Sequence, residues 1–325
     1  MSDTTRPKRY RMVSKFYKET YGEKVYKLPV ALPLTCPNRD GSAGVGGCTF
    51  CGEIGAGYEN RPAWMTVRMQ LEENIAHIGP KYKAKKFIPY YQNFSNTYLN
   101  LDDFKSYIEQ GCIDEAVGIA IATRPDCISN EYLDVLQDIQ QRFHKDIYIE
   151  LGLQTVNYHT LEKINRGHDL AQFIDAVLRI KRYGFNVTTH MIVNLPWDTM
   201  EDTIEGAKIL SSLGVDQVKL HALYIVKHTL MAKWYEEGQI TLISAEEYAE
   251  RVVQFLRHLH PDIVLQRLVG RAPEDNTLFT NWSMGWWRVQ DLIDDMMDEL
   301  DAHQGDLCDY LNGKAVRKFI DGRQV

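Results

Sequence analysis

The chain has 325 residues, of which 44% are hydrophobic and 25% are charged, and its mean hydropathy is -0.35. These values exclude collagen-like and wholly disordered chains, and the length suits one large domain or two ordinary ones. No apolar stretch approaches the roughly 20 residues that span a bilayer, and the first residues, MSDTTRPKRYRM, contain no apolar signal core. We therefore expect a cytoplasmic protein with no membrane partner.

The net charge of -7 is distributed unevenly along the chain. Residues 1–27 contain eight Lys or Arg and three acids, whereas residues 291–302 contain six acids and no base. Three interpretations stay open: both segments are solvated surface, which is the commonest case, or they contact each other, or the basic segment contacts a polyanion. We define residues 1–23 as a basic N-terminal arm.

Apolar strand-like segments alternate with amphipathic helical segments through residues 24–226, the predicted core. The predicted strands are Val25–Leu34, Lys86–Tyr91, Ala116–Ala122, Ile147–Leu153, Asn186–Leu195 and Val215–Ile225. The predicted helices between them are Thr66–Ile78, Asp102–Gln110, Asn130–Phe143, Leu170–Tyr183 and Met200–Leu213. This alternation predicts an α/β fold with a parallel sheet, and periodicity alone does not decide between a barrel and an open sheet.

The pattern changes after the sixth predicted strand. Leu230–Glu237 and Ala245–His260 are predicted helices, and Val264–Leu268 is a candidate for one more short strand. Apolar side chains around Leu292 and Met296 fit one face of a further helix, whose outer face would carry the acidic run. We predict a mostly helical C-terminal extension over residues 227–325.

Three of the six cysteines, Cys36, Cys48 and Cys51, lie in one glycine-rich loop with the spacing C-x11-C-x2-C. The loop begins where the first predicted strand ends, and parallel α/β folds build their sites at that edge. A structural zinc site would need a remote fourth ligand, whereas three thiolates leave one iron of an iron–sulfur cluster open. The spacing favours a catalytic cluster over zinc or unliganded thiols. The other three cysteines are expected to be small buried residues: Cys112, Cys127 and Cys308.

The motifs CPNRDG, GGCTFC, TRPDC and ELGLQ together resemble the radical S-adenosylmethionine (SAM) superfamily. The usual first gap between the cysteines is three residues, and the gap of eleven resembles the Elongator-catalytic-subunit-like branch, in particular YhcC/YtqA-like bacterial proteins. The resemblance implies a partial (β/α)6 TIM-like barrel. It also implies that Cys36, Cys48 and Cys51 hold a 4Fe-4S cluster, which binds SAM and cleaves it reductively to a 5′-deoxyadenosyl radical.

Polar residues that follow the second and third strands are candidates for cofactor contact. Gln92 and Asn93 stand where the superfamily often has a GGE-like motif, from which this sequence departs. Arg124 precedes a proline, which favours extended backbone and would aim the guanidinium at a carboxylate. The alternative for Arg124 is an anchor within its loop, paired with Asp126.

Further candidates lie on the fourth, fifth and sixth strands. Glu150 and Gln154 share one face of their strand, and a carboxylate in an apolar barrel needs partners. We favour cofactor contact for both residues over a closed structural network. By the resemblance, Asn194 lies in the turn near the adenine. His221 on the sixth strand is a candidate acid or base on the substrate side, although a lone histidine in a strand is more often a satisfied core residue.

The resemblance implies an enzyme that acts on tRNA, at the side chain of the wobble uridine. The basic arm would contact phosphates beside the barrel mouth, and flavodoxin or ferredoxin would supply the electron. Two alternatives stay open. One is a radical SAM enzyme acting on a protein or small metabolite, and the other is a non-enzymatic, zinc-stabilised nucleic-acid-binding protein.

Overall fold

The computed structural model describes residues 7–53, 55, 59–271 and 276–320. The strands are β1 Val25–Val30, β2 Lys86–Tyr91, β3 Gly118–Thr123, β4 Asp146–Gln154, β5 Asn186–Ile192, β6 Gln217–His221, β7 Ile225–Val226, β8 Val264–Arg267 and β9 Thr277–Phe279. The helices are α1 Val13–Tyr21, α2 Pro37–Asp40, α3 Val67–Tyr82, α4 Leu101–Gln110, α5 Asn130–Phe143, α6 Tyr158–Lys163, α7 Leu170–Arg182, α8 Met200–Leu213, α9 Leu230–Glu236, α10 Ala245–His258, α11 Trp286–Glu299 and α12 Arg317–Ile320. No helix in these ranges is both long and apolar enough to cross a membrane.

Seven parallel strands form one sheet in the order β1-β2-β3-β4-β5-β6-β8. In a flat sheet the two edge strands would lie about 29 Å apart, because neighbouring strands are about 4.8 Å apart. Here the Lys27 ammonium on β1 donates to Gln266 Oε1 on β8 at 3.0 Å, so the sheet is curled and its edges face a common interior. The predicted partial barrel is confirmed, and the candidate strand after the sixth is its seventh.

Local sequence explains why the alternating elements form where they do. Every residue of β3 is buried, as its apolar sequence requires for a central parallel strand. Thr199 caps α8 by accepting from the Asp202 N–H at 3.3 Å, and Gly214 ends that helix in the left-handed region. The helices pack their apolar faces on the outside of the sheet, in the main hydrophobic cluster. The carboxyl ends of the strands are thereby left to loops that build a site.

The N-terminal arm differs from the expectation. Residues 1–6 lie outside the described residues, and residues 13–21 form α1, which packs at the amino ends of the strands. Tyr17 is buried against the barrel interior, and the Tyr21 hydroxyl donates to Asp146 Oδ2 at the start of β4, at 2.6 Å. The prediction that the arm lies beside the barrel mouth is therefore wrong for the described residues. The arm closes the opposite end of the barrel, because the aromatic face of α1 packs on apolar surface there.

The arm also contacts the acidic C-terminal segment, which is one of the three interpretations that the sequence leaves open. Lys8 pairs with Asp294, and Arg9 pairs with Asp298 and, at 2.8 Å, with Asp301. The C-terminal extension is mostly helical as predicted, and α11 packs on α10. The division into residues 1–23, 24–226 and 227–325 stays a prediction.

Candidate active site

A cavity of about 510 Å³ opens at the carboxyl ends of the sheet strands. That volume is within the usual range for small-molecule and cofactor sites. Eight of the ten site residues predicted from the sequence line it: Cys36, Cys48, Cys51, Gln92, Arg124, Glu150, Gln154 and His221. Residues from loops far apart in sequence therefore share one space.

The cysteine loop, residues 36–51, is held in place by its own backbone and by the segment after α6. Cys36 directly precedes α2, and Asn165 Nδ2 donates to the carbonyls of Gly47 and Val45 at 2.8 and 3.0 Å. A Cβ at Gly44 would lie 2.1 Å from Asn38 Oδ1. The loop therefore needs glycine at position 44 to fold tightly over its own helical turn.

The sulfur atoms of the loop face hydrogen-bond donors. Arg166 Nη1 and Asn38 Nδ2 lie 3.5 and 3.7 Å from Cys48 Sγ, and Arg39 Nη2 lies 3.2 Å from Cys51 Sγ. Burial and the nearby Cys48 raise the pKa of the Cys51 thiol, while Arg39 opposes this shift. Cationic donors aimed at sulfur stabilise thiolates, which are the form that binds metal.

The donor set is chemically suited to an iron–sulfur cluster. The three cysteines are not in disulfides and all line the cavity. Among the described residues, no three His, Cys, Asp or Glu side chains are arranged to hold one metal ion. A cubane spreads its thiolate ligands over several iron atoms, so separated cysteines around one cavity suit it.

Arg124 is the anchor of its own loop. Its Nε and Nη2 donate to the two carboxylate oxygens of Asp126 at 2.8 and 2.6 Å, and its Nη1 donates to the Arg166 carbonyl at 2.8 Å. Although burial opposes it, this ion pair holds the pKa of Asp126 below its usual value. The anchor that was an alternative is therefore what the structure shows, and it also positions Arg166 beside Cys48.

Glu150 lies in a closed network rather than free in the cavity. The Lys27 ammonium donates to Oε1, while His190 Nε2 and the Lys219 ammonium donate to Oε2 at 2.7 and 3.4 Å. Although burial opposes it, the ammonium groups of Lys219 and Lys27 hold the pKa of Glu150 well below its usual value. The strands themselves supply the partners that a buried carboxylate needs, and contact of Glu150 with the cofactor stays a prediction.

Two of the predicted cofactor residues do not line the cavity. The Asn93 side chain meets both backbone groups of Leu32 at 3.4 Å, and Asn194 Oδ1 accepts from the Leu223 N–H at 2.6 Å. Both amides tie loops together behind the cavity wall. Gln92 lines the cavity and donates to Asn60 Oδ1 at 2.6 Å.

Gln154 is the predicted residue that stays available to a ligand. It lines the cavity, and its side chain makes no hydrogen bond to any other described residue. Its backbone lies in the left-handed region at φ 79°, where the register of β4 against β5 shifts. Non-glycine residues in that region are uncommon and often mark functional sites.

Sequence reasoning missed a row of charged side chains across the interior. Strand pairing places His190, Lys219 and Arg267 side by side on β5, β6 and β8. His221 stacks on His190 with ring centroids 5.3 Å apart, and its Nδ1 accepts from Arg267 Nη2 at 2.7 Å. Burial, followed by the charge of Arg267, holds the pKa of His221 well below its usual value, so the ring is neutral. Period-two alternation could have placed each residue inward, but the row depends on strand register.

Comparisons with known proteins agree with this geometry. The family model described as Radical SAM superfamily matches residues 37–210, and the one described as Radical_SAM C-terminal domain matches residues 215–299. YtqA of Bacillus subtilis (strain 168) is 33% identical over 301 residues, which cover 92% of each chain. The tRNA uridine(34) acetyltransferase of Dehalococcoides mccartyi (strain CBDB1) is 24% identical over 145 residues, 44% of this chain and 30% of that protein.

The fold is shared with a solved structure. The archaeal Methanocaldococcus infernus Elp3 with an N-terminal deletion superposes with a TM-score of 0.66, at 15% identity, over 86% of this chain and 64% of that one. At that identity the likeness shows the fold alone.

Proposed function

The chain belongs to the radical SAM superfamily, and from that premise we propose that it is an enzyme modifying the wobble uridine of tRNA. The radical SAM resemblance of the cysteine and strand-end motifs is confirmed, and the non-enzymatic zinc protein is set aside. The cofactors of the superfamily are a 4Fe-4S cluster and SAM. What we propose beyond the superfamily is the substrate, the wobble uridine of tRNA.

The observation that carries the catalytic proposal is the convergence of Cys36, Cys48 and Cys51 on the cavity that Gln154 also lines. We assign the three cysteines to the cluster and Gln154 to the polar end of SAM. When bound, the cluster and SAM together would supply a 5′-deoxyadenosyl radical after transfer of one electron. Flavodoxin or ferredoxin is the proposed electron donor. Arg166 and Arg39 stabilise the thiolates, and Arg124 holds Arg166 in position.

The tRNA proposal is supported by one relative and by aromatic side chains in the cavity wall. The relative described as a tRNA uridine(34) acetyltransferase matches this chain over 145 residues. The cavity is lined by Tyr90 and Phe94 together with the polar row. A base modified inside such a cavity must leave its stack, and aromatic walls stabilise it there.

The cluster assignment predicts a matched set of cysteine variants. Cys36→Ala, Cys48→Ala and Cys51→Ala should each lose iron, visible absorbance and SAM cleavage together, because all three thiolates are needed to hold the cluster. The measurements are iron content, absorption spectrum and SAM cleavage after anaerobic reconstitution. Cys112→Ala, Cys127→Ala and Cys308→Ala are the controls and should keep all three properties. Full iron content in any of the first three variants would contradict the assignment.

The substrate proposal predicts a change in tRNA when the gene is deleted. We expect one wobble-uridine derivative to disappear and its precursor to accumulate, as measured by mass spectrometry of tRNA nucleosides. The wild-type gene should restore the derivative, whereas Cys48→Ala should not. An unchanged set of tRNA nucleosides would overturn the tRNA substrate and leave the radical SAM assignment standing.

A further inference from the structure

The interior row contains more positive than negative charge. Lys27, Lys219 and Arg267 carry three cationic groups, and Glu150 is the carboxylate that pairs with the two lysines. Glu150 is shared between the two lysines and His190. Within the described residues Arg267 has no carboxylate partner. A half-buried cation without a counter-charge is costly unless a ligand supplies that charge.

The space around Arg267 is shaped to keep its guanidinium in the cavity. Among the described residues its Nε finds no hydrogen-bond partner, and its Nη2 donates to a histidine that stays neutral. Gly270 lies directly behind the group, where a Cβ would be 3.2 Å from the Arg267 Cζ. Glycine at position 270 therefore leaves room for the guanidinium beside the cavity wall.

Lys219 is the second group of this site. Its ammonium lies 3.1 Å from the Tyr90 hydroxyl and 4.7 Å from the centre of that ring. Burial and the neighbouring charges of Arg267 and Lys27 lower the pKa of Lys219 to about 7, against the effect of Glu150. An anion bound between Lys219 and Arg267 would favour the protonated ammonium.

We propose that Arg267 and Lys219 bind an oxyanion, a carboxylate or phosphate, carried by the substrate. This inference rests on the proposed function and names a chemical requirement of the substrate at the same site. Arg267 offers a planar guanidinium, which matches the two oxygens of such a group.

The donors to the cysteine sulfurs and the two cations come from different parts of the chain. The donors to cysteine sulfur come from the segment after β1 and the segment after α6. Arg267 and Lys219 lie on β8 and β6, and no hydrogen bond in the described chain joins either to a cysteine. We assign the cations to the substrate, and measuring SAM binding by Arg267→Gln distinguishes this assignment from a contact with the carboxylate of SAM.

The test measures oxyanion binding by the reconstituted enzyme with SAM bound. Thermal unfolding is followed anaerobically in chloride, phosphate and acetate at matched ionic strength. Phosphate or acetate should raise the unfolding temperature of the wild type, because a ligand of the native state stabilises it. Arg267→Gln should bind that anion at least about tenfold more weakly, whereas Arg267→Lys should keep part of the response. A larger response to phosphate would assign the group to a phosphate, and a larger response to acetate would assign it to a carboxylate.

A second readout separates a binding role from a structural one. In chloride alone, Arg267→Gln should unfold at the same or a higher temperature than the wild type, because it removes a half-buried charge that lacks a counter-charge among the described residues. Arg257→Gln removes an arginine that pairs with Asp306 outside the cavity, and it should respond to anions as the wild type does.

Three results would overturn the proposal. They are equal anion responses of the wild type and Arg267→Gln, no response of the wild type to either anion, and loss of SAM binding by Arg267→Gln with an intact cluster spectrum. Loss of SAM binding would mean that Arg267 and Lys219 bind SAM and not the substrate. None of these measurements requires tRNA, so the anion-binding result can be interpreted even if tRNA is not the substrate.

Discussion

Glu150 shows how a single buried carboxylate organises the interior of the barrel. Its hydrogen bonds reach Lys27 on β1, His190 on β5, Lys219 on β6 and Gln266 on β8. Such a network offsets the large cost of burying charge when every oxygen has a partner. The neighbouring His190 then has to stay neutral, because a further positive charge would face Lys219 and Arg267.

This arrangement predicts a pH dependence of stability. Burial and the charge of Lys219 lower the pKa of His190 to about 4, although Glu150 opposes the shift. As the pH falls below about 6.5, the unfolded chain binds a proton that the folded chain refuses, so His190 contributes a loss of stability between about pH 6.5 and about pH 4. His190→Gln should reduce this loss of stability by roughly 3 kcal/mol, as measured by urea unfolding across that range.

The side-chain amide that His190→Gln introduces can still donate to Glu150, so the network keeps its donor. His77→Gln, on the exposed side of α3, is the matched control and should leave the pH dependence unchanged. Equal slopes for the wild type and His190→Gln would mean that His190 takes up its proton in the folded state as easily as in the unfolded state.

The elements of the core were predictable because their signals are local. Asn130–Phe143 and Met200–Leu213 end where the sequence predicts, since caps and apolar periodicity lie within each helix. Helix α1 was not predicted, because the basic residues of this segment indicate only its charge. Val13 and Tyr17 are nevertheless one turn apart and lie on one face of the helix. The stability of a helix of nine residues depends on its packing against the rest of the protein, and the sequence alone does not show that packing.

The site was predictable to the extent that it follows strand ends. The cysteines, Gln154 and Glu150 were placed correctly on the cavity because parallel strands bring their carboxyl ends to one edge. The partners of Glu150 were not predictable, because Lys27 and Gln266 meet through the curl of the sheet. Asn93 and Asn194 show the converse error: polar residues at strand ends also serve to tie loops.

On the scale of the whole molecule, the two ends of the described chain are joined at the closed end of the barrel. The Arg9 guanidinium contacts Asp298, Asp301 and the Ala302 carbonyl, and the Tyr10 hydroxyl donates to Asp294 at 2.9 Å. The described positive charges of the arm are therefore largely engaged by protein groups, far from the cavity at the other end of the strands. A role in holding the extension against the core explains them better than contact with tRNA.

This joining predicts how two charge removals in the arm should differ. Arg9→Gln loses several hydrogen bonds at once and should lower the free energy of unfolding by about 1 kcal/mol, because the ion pairs are partly exposed and screened. Lys18→Gln removes the same charge from an exposed position of α1 that has no ion pair within the described residues, so its stability should stay within about 0.5 kcal/mol of the wild type. Both variants should bind tRNA with the wild-type affinity and salt dependence, as measured by filter binding at several salt concentrations. If both instead weaken tRNA binding and reduce its salt dependence while unfolding as the wild type does, the arm contacts phosphate after all, and the contacts of Arg9 with α11 would have to give way when tRNA binds.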